Sequence, residues 1–123
     1  MSIVREDFGS VTGIKLSQLF YNANKTLLGS ITTYNGSYTA TQDCVMYCKC
    51  VGDGTYSPII YFNGVVSLWS YGTSGSKYSL WIGYENTSST APTLYGIFIP
   101  KGTVVTTRNR SSQTYDVRFY SLD

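Results

Sequence analysis

The most informative absence in this 123-residue chain is histidine, which does not occur at all. Without an imidazole, the usual general base and the commonest metal ligand are both missing. Charged residues are scarce as well, at 13% of the chain, and they leave a net charge of only +2. Because they are scattered singly, no basic run is present to bind phosphate backbones, and nucleic acid is not an expected partner.

Long apolar runs are also missing. No segment approaches the roughly 20 apolar residues that a membrane-spanning helix requires. The first ten residues, MSIVREDFGS, lack the hydrophobic centre of a secretory signal. We therefore expect no membrane insertion and synthesis in the cytoplasm without a signal peptide.

All three cysteines lie in one short stretch, DCVMYCKCV, at residues 43–51. On a strand, alternate side chains share a face, so Cys44, Cys48 and Cys50 point the same way as Met46. A structural zinc site requires four ligands, and this stretch offers only three thiolates. Cysteines two residues apart on a strand have Cα atoms about 6.5 to 7 Å apart, a distance that would strain a disulfide between them. We predict that this face packs in the core with reduced thiols. A metal or redox role and intermolecular disulfides are the alternatives.

Short runs of β-branched and aromatic residues alternate with Gly, Asn, Ser and Pro along most of the chain. They predict eight or nine strands and almost no helix, with strands at residues 31–35, 37–42, 44–51, 58–62, 65–69, 78–84, 94–99, 103–108 and 115–122. Asn63 and Gly64 predict a type I′ hairpin turn, and residues 100–102 a tight turn. Such strands must stack or close to bury their apolar sides. We therefore predict an all-β fold, an antiparallel two-layer β-sandwich of the jelly-roll type.

The beginning of the chain is less regular. Residues 1–12 are expected to form an N-terminal arm or a short strand, and residues 13–123 a single β-sandwich domain. The apolar positions of residues 13–29 fit neither a helical nor a strand period, so a short helical turn and a strand pair both remain open.

Carboxylates give little sign of catalysis. There are seven, and none can be paired with another from sequence alone, as a glycosidase would require. Asp43 precedes a strand and Asp53 lies in a VGDGT turn, where aspartate is favoured for backbone reasons. We expect no enzymatic activity, no cofactor and no metal.

Tyrosine is the clearest excess, with 12 residues, too many for all of them to be core. Tyrosine-rich, charge-poor surfaces are typical of faces that meet another protein chain or a carbohydrate. We expect recognition by the two polar loops around residues 68–81 and 83–92, because loops on a rigid sandwich often bind ligands. The candidate ligand-binding residues are Trp69, Tyr71, Tyr84, Glu85 and Asn86. For Trp69 and Trp81 the alternative is that both point inward and fill the core.

The second half of the chain contains four stretches that together resemble a known family: SYTATQDCVMY, YFNGVV, IFIPKGTVVTTR and YDVRFYSL. Over residues 37–123 the chain resembles the small trimeric jelly-roll heads of phage tail fibres and related receptor-binding proteins, which are similar to the C1q/TNF-like fold. The resemblance implies a non-enzymatic homotrimer, made in the bacterial cytoplasm and associated with a virion, that binds a host surface glycan or protein. The alternative is a purely structural virion or assembly protein, whose faces pack against other subunits and which has no external ligand.

Overall fold

A computed structural model describes residues 13–69, 78–86 and 88–123. Within them lie one helical turn, α1 (Leu16–Leu19), and nine strands: β1 (Leu27–Ile31), β2 (Ser37–Thr39), β3 (Cys44–Val51), β4 (Ile59–Phe62), β5 (Val66–Trp69), β6 (Ser79–Ile82), β7 (Ile97–Ile99), β8 (Val104–Thr107) and β9 (Val117–Ser121). The predicted abundance of strand and scarcity of helix are confirmed for these residues. No helix among them has the length and apolar character to cross a membrane. The arm predicted at residues 1–12 lies outside the described residues.

The strands form two antiparallel sheets. The first has the order β1-β9-β3-β6, with β7 also paired to β3, and the second has the order β2-β8-β4-β5. Strands β6 and β7 lie along the same edge of β3, because β6 pairs with residues 48–51 and β7 with residues 44–46. The predicted all-β sandwich of two antiparallel sheets is confirmed.

Strand β3 is buried on both of its faces. Cys44, Cys48 and Cys50 belong to the core between the sheets, whereas Val45 and Tyr47 belong to a second cluster on the outer side of the first sheet. All three thiols are free and fully buried, so the predicted packing of the sulfur-lined face in the core is confirmed. Burial, with a smaller contribution from neighbouring negative charge, raises the pKa of the Cys44 thiol to about 11.

The outer side of the first sheet is covered by the segment that precedes β1. The Tyr47 hydroxyl donates a hydrogen bond to the Leu19 carbonyl at 2.7 Å, and the buried Lys25 ammonium donates to the carbonyls of Ser121 at 3.0 Å and Leu122 at 2.6 Å. These tertiary hydrogen bonds hold a helical turn too short to be stable alone. Of the structures left open for residues 13–29, the chain adopts the helical turn, followed by a single strand.

The strand predicted at residues 31–35 is wrong. Strand β1 ends at Ile31, the last residue that pairs with β9, and the chain then turns to reach the second sheet. The Gly36 N–H donates to the Thr107 hydroxyl oxygen at 2.9 Å. A side chain at Gly36 would meet Ile31 and Thr33, so this connection has to be a compact turn.

The predicted type I′ turn at Asn63 and Gly64 is confirmed. Their φ angles are 54° and 68°, and the Val65 N–H donates to the Phe62 carbonyl at 3.1 Å. Strand pairing resumes with Phe62 opposite Val66, so Val65 is one extra residue in this hairpin.

The predicted tight turn at residues 100–102 is confirmed as well. The Thr103 N–H donates to the Pro100 carbonyl at 3.1 Å, and Gly102 has a φ of 90°. The turn joins β7 of the first sheet to β8 of the second. Asp43 accepts the Lys101 N–H at 2.9 Å, which agrees with its predicted backbone role.

Candidate functional site

The predicted ligand-binding residues divide between opposite faces of the sandwich. Trp69 ends β5 on the second sheet, whereas Trp81 lies on β6 of the first. Their side chains are 46% and 42% exposed, so the alternative that both tryptophans fill the core is wrong. Tyr71 lies outside the described residues. The two tryptophans therefore do not belong to one site.

Trp69 belongs to a row of residues at one end of the second sheet. It pairs with Ile59 on β4, and the Arg108 N–H, directly after β8, donates to the Ile59 carbonyl at 3.0 Å. Since the neighbouring Ile60 and Thr107 are buried toward the core, alternation places this row on the outer face. Strand β4 lies between β5 and β8, so the backbones of Trp69 and Arg108 are two inter-strand distances, roughly 10 Å, apart.

Tyr56 joins this row from the loop between β3 and β4. Its exposed ring holds two guanidinium groups: Arg110 Cζ lies 3.9 Å and Arg108 Cζ 5.6 Å from the ring centroid. Both distances are within cation–π range. We call Tyr56, Trp69, Arg108 and Arg110 the arginine rim.

Asp53 fixes the loop that carries Tyr56. Its Oδ1 accepts the N–H of Thr55 at 2.9 Å and of Tyr56 at 2.7 Å, and its Oδ2 accepts the Ser112 hydroxyl at 2.5 Å. The Ser112 hydrogen bond, followed by the backbone ones, lowers the pKa of Asp53 to about 2. Asp53 thus has the predicted turn role, and it also ties the Tyr56 loop to the loop that carries Arg110.

The arginine rim is locally cationic. Neither Arg108 nor Arg110 forms an ion pair or a side-chain hydrogen bond with the part of the chain that the structure describes, where the ion pair joins Arg118 and Asp116 at 3.0 Å. A guanidinium group has five N–H donors and stays charged at any physiological pH. The rim therefore offers unused donors beside an exposed indole.

The remaining predicted residues lie on the first sheet, beyond Trp81. Trp81 pairs with Lys49, whose ammonium lies 5.0 Å from the Tyr84 ring centroid and donates to the Ser89 carbonyl at 2.7 Å. Tyr84 is only 3% exposed, and burial raises its pKa to about 12. Its ring is buried beneath the Lys49 ammonium and is not accessible to a ligand.

Glu85 and Asn86 are exposed, but Asn86 has a structural partner. Its Oδ1 accepts the Ser88 N–H at 2.9 Å and the Ser88 hydroxyl at 2.6 Å, which closes a local turn. Among residues 13–69, 78–86 and 88–123, no three His, Cys, Asp or Glu side chains come together in a way that could hold a metal.

An apolar patch on the first sheet was not predicted. Phe20, Leu94 and Tyr95 are exposed there. The rings of Phe20 and Tyr95 meet edge to face with centroids 5.7 Å apart, and Leu94 directly precedes Tyr95 in the chain. Beside it lies a groove of about 380 Å³, lined by Ile14, Leu19, Tyr95, Gly96 and Phe98. We call Phe20, Leu94 and Tyr95 the apolar patch.

Comparison with known proteins gives no further guide. No family model, no curated protein and no solved structure matches this chain.

Proposed function

We propose that this protein is a non-enzymatic, homotrimeric jelly-roll protein of a phage or prophage tail that binds a host surface glycan or protein through the arginine rim. The observation that carries the proposal is Trp69, nearly half exposed on a rigid sheet. It lies in one row with Arg108, whose guanidinium group contacts the Tyr56 ring but forms no ion pair within the described residues.

The strand order supports the jelly roll. Counting β6 and β7 as one interrupted strand beside β3 leaves eight strands, the number in a jelly roll. Each sheet then pairs strands that are distant in sequence, as β1 with β9 and β2 with β8. Such nested pairing is what results when one long antiparallel hairpin rolls up into two layers.

The residue types of the rim support a ligand on the cell surface. An exposed indole can stack on the apolar face of a sugar ring, and guanidinium groups donate to oxygen acceptors in a fixed planar geometry. Tryptophan, tyrosine and arginine are also the residues that dominate the energetics of protein interfaces. A host protein is therefore the other ligand class that the arginine rim fits.

The apolar patch supports the trimer. Exposed, contiguous apolar side chains with an adjoining groove are typical of surfaces that meet another chain. The apolar patch lies on the first sheet and the arginine rim on the second. Packing three copies through the apolar patch would leave each arginine rim open to solvent.

The second candidate is a structural virion or assembly protein without an external ligand. A groove of about 440 Å³ favours it, because this groove opens where the edges of the two sheets meet, and Phe62, Val66, Ile97 and Phe98 are among the residues that line it. Val65 and Val66 are exposed at the same place. A molecule with two apolar contact regions could serve only to pack against its neighbours.

The test compares two matched tryptophan variants on a glycan array and on whole host cells. We expect the protein to bind, and Trp69→Ala to weaken binding about tenfold or more, as loss of a central aromatic contact does. Trp81→Ala is the control, because Trp81 is similarly exposed on the other sheet. Intact trimers that bind neither glycans nor cells would favour the structural candidate, and equal losses in the two variants would exclude the arginine rim.

A further inference from the structure

The cations of this chain are used in different ways. Lys25 and Lys49 donate to backbone carbonyls, and Arg118 is in an ion pair, so these three already have partners within the protein. Arg108 and Arg110 instead lie against one tyrosine ring, without an ion pair to any residue that the structure describes. Both guanidinium groups thus contact one ring while their N–H donors remain available.

Two like charges on one ring repel each other, and an anion placed between them would remove that repulsion. A cation–π contact involves the face or the edge of a guanidinium group and leaves other N–H donors free. Those donors match the two oxygens of a carboxylate or a phosphate. Asp53, on the loop that carries Tyr56, accepts hydrogen bonds from Thr55, Tyr56 and Ser112 and is in no ion pair with either arginine.

We infer that the arginine rim recognises an acidic polysaccharide, whose carboxylate or phosphodiester group binds Arg108 and Arg110 while a neighbouring sugar ring stacks on Trp69. The inference rests on the proposed function and names the ligand class. The roughly 10 Å between the backbones of Trp69 and Arg108, given by two strand spacings, leaves room for adjacent units of one chain to occupy both positions.

The experiment measures binding of the intact protein to four polymers by calorimetry. Polygalacturonate presents carboxylates, poly(glycerol phosphate) presents phosphodiesters, dextran is neutral, and single-stranded DNA is an anion of another class. We expect one of the two acidic polymers to bind, which identifies the anion, and its affinity to fall as salt is added. Arg108→Gln and Arg110→Gln should each weaken this binding about tenfold or more, the usual effect of losing a charged hydrogen bond.

Lys101→Gln is the matched control, because it removes the same charge from an exposed residue in the turn between β7 and β8. It should change the affinity less than about twofold, since exposed distant charges are largely screened. Equal losses in all three variants, or DNA bound as tightly as the acidic polymer, would overturn the inference. If only a neutral glycan binds, and Trp69→Ala abolishes that binding, the inference fails while the proposed function stands. If no glycan or cell surface binds, both fail.

Discussion

At the scale of single residues, Asp53 joins the two loops that carry Tyr56 and Arg110 in the arginine rim. Its pKa is lowered to about 2, chiefly by the Ser112 hydroxyl, against about 3.9 for an unperturbed aspartate. A lowered folded-state pKa stabilises the protein above the unfolded-state value, and this contribution is lost as the pH falls through the folded-state value. We therefore expect the free energy of unfolding to decrease between about pH 4 and about pH 2, measured by denaturant titration at each pH.

Asp53→Asn is the variant that tests this expectation, because it keeps an oxygen for the two N–H groups but does not ionise. Its unfolding free energy should decrease less over the same pH range. Parallel curves for the two proteins would show that other carboxylates cause the acid sensitivity.

Core residues could be predicted where alternation of side chains along a single strand was enough to identify them. The shared face of Cys44 and Cys48 follows from alternation along one strand, and it was predicted correctly. The contact of Tyr56 with Arg108 and Arg110 could not be predicted, because about fifty residues separate them and only the fold brings them together. Of the arginine rim, only Trp69 was predicted; the two arginines stand in the sequence as the RNR of residues 108–110.

At the scale of elements, the sequence located most strands but did not show for every strand which side faces the core. In β5, Leu68 and Trp69 are both apolar, so alternation alone could not decide which of them is buried. The register with β4 decides it, because Leu68 lies opposite the buried Ile60. The error at residues 31–35 has a similar cause: β-forming residues there are used to cross between the sheets.

The break between β6 and β7 depends on glycine, and it gives a stability prediction. Gly83 has a φ of 84°, and a Cβ there would meet the Tyr47 ring; Gly54 has a φ of 90° and open space around it. Gly54→Ala should cost about 1 to 2 kcal/mol through backbone conformation alone. Gly83→Ala should cost about 1 to 3 kcal/mol more, as overpacking does.

Denaturant unfolding of the two variants, whose positive φ angles are nearly equal, isolates the contribution of the ring. Equal losses would show that Tyr47 moves aside freely. In that case the hydrogen bond from Tyr47 to the Leu19 carbonyl would not be what fixes the covering segment on the first sheet.

At the scale of the whole molecule, the two outer faces differ in character. The first sheet carries the apolar patch, and the second ends in the arginine rim. This separation suits a protein that assembles through one face and binds through the other, and no local sequence pattern could have shown it. Whether a residue lies on one sheet or the other depends on strand order, which short-range periodicity does not encode.

The apolar patch gives the last prediction, on oligomeric state. Light scattering should give the mass of a trimer at micromolar concentration, and Leu94→Asp with Tyr95→Asp should give a monomer, because buried unpaired charge is costly at an interface. Tyr34→Asp, at an exposed tyrosine on the loop between β1 and β2, should leave the trimer intact. A trimer that survives the double variant but dissociates with Val65→Asp would place the interface at the 440 Å³ groove. A monomeric unmodified protein would count against both proposed functions, because each requires subunits that pack together.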